Sequence, residues 1–285
     1  VRSLGEIRDE RAIEPLLAAL GSPDPATGQP LADVLARFGE IVVEPLKKVL
    51  SVSRIELQRF WAARILGQLK IPTVAPALLK ALADHSPKIR SEAARSLGLI
   101  HLHEAVSPLT KLLLEDPDPL VREAASEALG LIANERALGA LKEALADLDP
   151  MTRRRAMEAL ERMGERATPF FLEALHSDSR EAATQAASAL ERLGLVTAEV
   201  ERLTGKDWES AFELLRLIAK CGVVETIARS LGHVQVHVRI HLCRILSEAA
   251  SPRTLESLSD LAQKDPEWGV RLEALLALTR LANPL

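Results

Sequence analysis

Aromatic residues are scarce in this sequence. They make up 3% of the 285 residues, and tyrosine is absent. Because 47% of the residues are hydrophobic, the core must be built mainly from leucine, isoleucine, valine and alanine. Leucine and alanine are strong helix formers, whereas strands favour aromatic and β-branched residues. The composition therefore predicts an all-α protein of packed helices.

Cysteine, long apolar runs and excess positive charge are also lacking. Two cysteines, Cys221 and Cys243, are too few for a disulfide framework, so we expect a reducing, cytoplasmic location. No apolar run reaches the ~18–20 residues of a membrane helix, and no signal peptide opens the chain. The net charge of −4 supplies no strongly basic face for nucleic acid. We expect an ordinary soluble surface without membrane insertion in this segment.

A repeat of about 31 residues runs through the chain. Aligning on the pair Leu-Gly, and on what stands in for it, gives spacings of 31, 31, 31, 32, 31, 30, 28, 28 and 32 residues. A single globular domain has no reason to keep such a period, whereas stacked repeats do. The first residues of these pairs, here called the anchors, are Leu4, Leu35, Leu66, Leu97, Leu129, Leu160, Leu190, Ile218, Leu246 and Leu278.

The period predicts one array of about nine repeats over residues 1–285. A partial repeat at residues 1–8 precedes them, and the repeats at residues 196–247 are irregular. The chain opens with Val1 rather than Met, and its first residues resemble the second half of a helix. We therefore expect a piece of a longer protein.

Each period contains two predicted helices. Ile89, Ala93, Leu97 and Ile100 fall at i, i+4, i+8 and i+11, which is one face of a helix. A second apolar segment precedes each such helix, so a repeat is helix, turn, helix, turn. Prolines in the first helices predict that those helices bend or begin there. They are Pro15, Pro45, Pro76, Pro108 and Pro169.

An aspartate and an arginine recur at fixed positions before the anchor. The pattern Asp-x4-Val-Arg-x2-Ala-x3-Leu-Gly, as in residues 116–130, resembles the HEAT repeat in its short bacterial form, the type also carried by phycobilin lyases. The resemblance implies an armadillo-like, right-handed α/α superhelix (a solenoid). It also implies that the aspartates and arginines link successive repeats as a ladder. The ladder residues are Asp84, Arg90, Asp116, Arg122, Asp147, Arg153, Asp265 and Arg271.

Two stretches depart from the pattern. In residues 21–30, Gly28 stands at the position of the ladder arginine. In residues 196–232, the aspartate and arginine are missing and aromatic residues appear. These departures indicate either repeat decay repaired by local packing or a bend or docking seam. The residues that break the second stretch are Gly205, Trp208, Ala211 and Phe212.

Histidines give the strongest metal-like spacing. His233, His237 and His241 are spaced i, i+4, i+8, and a pair of histidines at i, i+4 can bind a transition metal. However, His233 aligns with the turn aspartate, and no carboxylate nearby completes a set of three or four ligands. We therefore expect neither a metal nor a cofactor.

No catalytic constellation is recognisable. Cys243 aligns with a buried alanine, and neither a nucleophile elbow nor a phosphate-binding glycine loop occurs. Deoxyhypusine hydroxylase has similar repeats, but its His-Glu pairs after the ladder arginine are absent here. Phycobilin lyases attach a chromophore, and the few, scattered tryptophans mark no bilin pocket, so a lyase accessory role is the weaker alternative. We expect a protein without enzymatic activity.

The second helices carry a charged row, here called the stripe. In stacked repeats the second helices line a concave face, which is the usual binding surface. The residue two before the anchor is charged in eight of ten repeats, with blocked signs. We expect a monomeric scaffold that binds a peptide or protein there, with Trp61 as an anchor. The stripe residues are Trp61, Arg64, Arg95, Glu127, Glu158, Arg216, His241 and Arg244.

Nucleic-acid binding along a basic groove is the alternative to a protein-binding stripe. Arg153, Arg154 and Arg155 form the strongest local basic cluster. However, Glu158 and Glu161 follow on the same predicted helix, which favours a solvated helix laced with ion pairs. We therefore expect a protein partner rather than nucleic acid.

Overall fold

The structure, a computed structural model, describes residues 9–22 and 25–282. These residues form eighteen α-helices in nine consecutive pairs, and no β-strand occurs among them. The predicted all-α array of two-helix repeats is confirmed. The expected partial repeat at residues 1–8 lies outside the described residues.

The helices fall into two compact units, which divide between Gly164 and Glu165. The helices of the first unit are α1 (Ile13–Ala19), α2 (Pro25–Ala36), α3 (Val43–Val52), α4 (Glu56–Leu69), α5 (Ala75–Ala81), α6 (Pro87–Leu99), α7 (Val106–Glu115), α8 (Pro119–Ile132), α9 (Leu138–Ala144) and α10 (Pro150–Arg162). Those of the second are α11 (Thr168–Ala174), α12 (Arg180–Arg192), α13 (Leu195–Arg202), α14 (Trp208–Lys220), α15 (Glu225–Arg229), α16 (Val236–Leu246), α17 (Pro252–Lys264) and α18 (Trp268–Ala282).

Proline marks where the first helix of a repeat begins. Pro76 is the second residue of α5, and Pro108 is the third residue of α7. Each of these helices follows a short 3-10 turn, such as His103–Ala105 before α7. Proline is tolerated in a first turn because the N–H that it lacks has no intrahelical partner there. Of the two outcomes that the prolines predicted, a helix start rather than a bend is the one found.

The second helices of the first unit pack closely on one another. The anchors Leu66, Leu97 and Leu129 are fully buried. A Cβ atom added to Gly98 would lie 2.7 Å from the Cα atom of Ala128 on the next second helix. No real side chain tolerates such a distance, so the glycine after the anchor lets the backbones of α6 and α8 approach.

Ladder arginines span two repeats. Arg90 donates from Nε and Nη2 to both carboxylate oxygens of Asp116, each at 2.8 Å, and from Nη1 to the carbonyl of Asp84 at 3.0 Å. One guanidinium thus contacts the turn of its own repeat and the aspartate of the next. Three further pairs have the same arrangement: Arg59 with Asp84, Arg122 with Asp147, and Arg239 with Asp265.

Two ladder arginines are hydrogen-bonded to carbonyl groups of their own turn. Arg153 donates to the carbonyls of Asp147 and Leu148 at 2.8 and 3.1 Å. Arg271 donates in the same way to Asp265 and Pro266. Each therefore stabilises the turn before its own helix.

His233 takes the place of the turn aspartate in the second unit. Its Nδ1 accepts a hydrogen bond from the backbone N–H of Gln235 at 3.1 Å, as Asp265 Oδ1 accepts from Glu267 at 2.9 Å. Helix α16 begins three residues after it, at Val236. The prediction that His233 precedes the helix is therefore confirmed, and its ring stabilises the turn.

Candidate partner-binding face

Trp61 does not lie on the surface as the stripe predicted. Its side chain is 9% exposed on α4, and the indole lies against Gly28 of α2. A Cβ atom at position 28 would overlap the indole ring, so only glycine leaves room for it. The expectation of Trp61 as an exposed anchor is corrected: tryptophan is large and apolar, and the missing side chain at position 28 opens space for it in the core.

Arg64 lies on the outer side of this packed tryptophan. Its guanidinium carbon is 5.4 Å from the centroid of the Trp61 ring, which is a cation–π distance. Among the described residues, no carboxylate lies within 4 Å of its side-chain nitrogens. The indole therefore positions Arg64, and the donors of its guanidinium have no carboxylate partner.

Glu92 of α6 forms part of the wall of a shallow pocket beside Arg64. It is 9% exposed, although it carries a charge. Burial raises the pKa of Glu92 above its usual value, an effect opposed by the charges of Arg64 and Arg95 and strengthened by Glu127. The pocket has a volume of about 380 Å³. Its lining residues are Arg64, Gln68, Glu92, Arg95, Leu99, Glu127 and Leu131.

Other charged residues on the second helices of the first unit, within the stripe and beside it, form ion pairs. Arg95 Nε on α6 lies 3.5 Å from Glu127 Oε2 on α8. Arg155 on α10 bridges Glu123 on α8, at 3.2 Å, and Glu158 on its own helix, at 2.9 Å. Arg95, Glu127 and Glu158 therefore each meet a charge of opposite sign.

The arginines of the basic cluster at residues 153–155 are already paired with glutamate or hydrogen-bonded to backbone carbonyls. Arg154 Nε lies 3.3 Å from Glu158, which also pairs with Arg155. Arg153 is hydrogen-bonded to the carbonyls of its turn. Nucleic-acid affinity depends on cations that can neutralise phosphates. This geometry gives the nucleic-acid alternative no support.

The stripe arginines of the second unit are ion-paired. Arg216 on α14 contacts Glu213 at 3.0 Å and Glu248 at 2.9 Å. Arg244 on α16 lies 3.1 Å from Glu273 on α18. Each of the two arginines thus bridges to a carboxylate of the next repeat, as Arg95 does in the first unit.

An aromatic cluster fills the irregular stretch of the second unit. The ring of His241 stacks on Trp208 with centroids 4.3 Å apart, and Phe212 and His237 contact its edges. Burial, followed by the charges of Arg244 and His237, lowers the pKa of His241, and its Nδ1 has no hydrogen-bond partner. His241 is therefore half-buried among aromatic rings rather than presented on the surface as a stripe residue.

The part of the chain that the structure describes contains neither a metal-ligand cluster nor a helix that could span a membrane. Its histidine, cysteine, aspartate and glutamate side chains form no group of three or more that could hold a metal ion. None of its helices has the length and apolar character that a bilayer crossing needs. His237 and His241 are involved in ring contacts, as described above.

The family models decide the assignment of the repeats. A model of HEAT repeats matches residues 43–130 and 106–191, which together span more than half of the chain. The chain belongs to the HEAT repeat family. A model of the PBS lyase HEAT-like repeat also matches residues 1–22 of this HEAT protein.

One curated relative is the phycocyanobilin lyase subunit beta of Thermosynechococcus vestitus. It is 33% identical over 101 residues, which cover 35% of this chain and 47% of the relative. The chain thus spans about half the length of that protein.

Two solved structures resemble the fold. The complex of CpcE and CpcF of phycocyanin lyase from Nostoc sp. PCC7120 is 23% identical with a TM-score of 0.44, covering 84% of this chain and 94% of that one. Kap95p bound to RanGDP is 15% identical with a TM-score of 0.53, covering 95% of this chain and 45% of that one. The likeness to Kap95p shows a shared fold of helical repeats and nothing about a shared partner.

The expectation of a chain without enzymatic activity is wrong. The subunit beta to which the chain is related belongs to a lyase. The expectation came from missing nucleophile, phosphate and metal motifs. Such motifs identify particular chemistries, and an enzyme subunit that binds and orients its substrates needs none of them.

Proposed function

We propose that this HEAT chain is a subunit of a phycobilin lyase-type enzyme and that its stripe binds the protein partner of the reaction. The observation that carries the proposal is the 33% identity over 101 residues with a phycocyanobilin lyase subunit. Chromophore attachment requires a protein acceptor and a bilin to be held together. A repeat array supplies an extended surface for the protein acceptor.

The stripe supports a protein-binding role within that enzyme. Arginine and glutamate alternate across neighbouring second helices, as Arg95 with Glu127 and Arg155 with Glu123. These pairs are partly exposed, so a charged group of a partner can replace one member of a pair. Such complementarity sets register and specificity more than raw affinity. Trp61 supports this face from beneath, because it positions Arg64.

Substitution into the relative's reaction tests the function. The purified chain would replace the subunit beta of the Thermosynechococcus vestitus enzyme in a mixture of the companion lyase subunit, phycocyanobilin and apo-phycocyanin. Covalent bilin is measured by its absorbance on apo-phycocyanin after denaturing electrophoresis. We expect attachment above the level of a mixture without any beta subunit.

A binding measurement covers the case in which the companion lyase subunit of the relative does not assemble with this chain into an active enzyme. The chain, immobilised, would be probed with apo-phycocyanin and with the companion subunit, using serum albumin as the control protein. Binding of either, weakened by moderate salt, agrees with the proposal. Absence of both attachment and binding would overturn it. Cytoplasmic location and a monomeric state remain predictions beside this test.

A further inference from the structure

The four stripe arginines differ in whether they have a carboxylate partner. All four occupy the position two residues before an anchor. Arg95, Arg216 and Arg244 each have a carboxylate of a neighbouring repeat within 3.5 Å. Arg64 has none within 4 Å among the described residues, and its guanidinium faces the Trp61 ring instead. Its donors are therefore available to an anion from outside the chain.

Two residues on two helices hold Arg64 in place. Gly28 of α2 leaves the space that the indole of Trp61 fills, and the buried indole lies under the guanidinium. The cation–π contact uses no N–H group of the guanidinium as a hydrogen-bond donor to a carboxylate, and those groups match the two oxygens of a carboxylate. Since Arg64 is already ordered by this contact, less side-chain entropy is lost when a ligand binds.

The surroundings of Arg64 favour a polar protein segment over a bilin. The pocket is lined mostly by charged and amide side chains, and Leu99 and Leu131 are its only apolar lining residues in the described chain. An aromatic face for a conjugated chromophore is missing there, because Trp61 is buried. Arg95 and Glu127, next along the stripe, pair with each other, so Arg64 is the stripe cation of the first unit without a carboxylate partner among the described residues.

We infer that Arg64 binds a carboxylate side chain in an acidic segment of the protein partner. Arg64 is the point of attachment, and the charge pairs of α6, α8 and α10 set the register of the segment. The inference rests on the proposed function only in that the stripe meets a protein. It is independent of whether the enzyme transfers a bilin.

Arginine side-chain NMR tests the inference with hexaglutamate as the probe. The Nε–Hε signal of Arg64 is assigned from its loss in the variant Arg64→Gln, and hexaglutamate is titrated at fixed ionic strength. We expect a saturable shift of that signal and a smaller response of the Arg95 signal. One lost charge-assisted contact should weaken hexaglutamate binding by about tenfold in Arg64→Gln. Arg95→Gln, at the next stripe position, is the matched control and should change the Kd by less than about twofold, because that arginine already pairs with Glu127.

Further variants and probes separate the outcomes. Arg64→Lys keeps the charge but loses the planar donor edge, so we expect binding between the wild type and Arg64→Gln. Circular dichroism checks that each variant is folded. Equal binding by the wild type and a folded Arg64→Gln would overturn the inference, as would an equal shift with hexalysine. A shift of the Arg64 signal by phycocyanobilin but not by hexaglutamate would also overturn it and would assign the carboxylate to the bilin.

The lyase assay and this titration fail independently. Hexaglutamate binding at Arg64 without bilin attachment would leave the inference intact and remove the proposed enzyme activity. Attachment of bilin with no response of the Arg64 signal would support the proposed enzyme activity and overturn the inference about Arg64.

Discussion

The indole of Trp61 lies against the backbone of Gly28, so closely that position 28 has no room for a side chain. In most other repeats the position of Gly28 holds the ladder arginine. This repeat has no ladder arginine, and the space at Gly28 is filled by the buried ring of Trp61, which supports Arg64. The departure from the repeat pattern therefore has a structural cause, and that cause lies beneath the stripe.

Replacing Gly28 with alanine is expected to destabilise the first unit. The added Cβ must displace the Trp61 ring, and overpacking of this kind outweighs the gain in helix propensity, leaving a net loss of roughly 1–2 kcal/mol. Urea unfolding followed by circular dichroism measures the change. The control is Gly139→Ala in α9, where a Cβ would meet nothing within 4 Å, so stability should rise by up to about 1 kcal/mol. Equal effects at the two positions would contradict the close packing of Trp61.

Removal of a ladder carboxylate is expected to cost more than removal of a surface one. Asp265→Asn leaves the buried guanidinium of Arg239 without its charge partner and should lower the free energy of unfolding by about 3 kcal/mol. Asp260→Asn removes the exposed pair with Lys264 and should change it by less than about 0.5 kcal/mol. Thermal and urea unfolding of both variants gives the comparison. Similar losses would mean that the ladder contributes no more than a surface ion pair.

Acid should weaken the protein through its ladder aspartates. Burial opposes the charge of Asp84, Asp147 and Asp265, but hydrogen bonds from the ladder arginine and from a backbone N–H outweigh it and lower each pKa below 3.8. A carboxyl whose folded pKa is depressed adds stability above its unfolded pKa and loses it as the pH falls through the folded value. The urea midpoint should therefore fall as the pH is lowered below about 4. A triple Asp→Asn variant should be less stable at pH 7 and show a shallower fall, whereas an unchanged slope would exclude these groups as the cause.

The thiol of Cys243 should be inert in the folded protein. Its side chain is fully buried, and burial, with the charges of Glu273 and Asp265, raises its pKa to about 12. Burial also raises the pKa of the half-buried Cys221. Since the thiolate is the reactive form, Ellman's reagent at pH 8 should leave Cys243 unmodified in native Cys221→Ser protein and modify it in guanidinium chloride. Rapid modification of that native variant would show that α16 opens readily.

The repeat and its helices could be predicted because their signals are local. Aliphatic anchors at a period of about 31 residues, prolines at helix starts and the aspartate-to-arginine spacing each lie within one repeat. A helix needs only the right periodicity and termini, so Leu97 and Leu129 could be assigned to the core before any neighbour was known. Those assignments agree with the buried anchors.

The pairing of side chains between repeats was decided by tertiary structure. Trp61 and Glu92 occupy positions that are exposed in a generic repeat, yet both are buried, one by Gly28 and the other among the charges around it. Arg95 forms an ion pair with Glu127, whereas Arg64 contacts an aromatic ring. Periodicity tells which face of a helix a residue occupies. Whether that residue meets a charge, a ring or empty space depends on how closely two helices approach, and that distance is set by residues some thirty positions away.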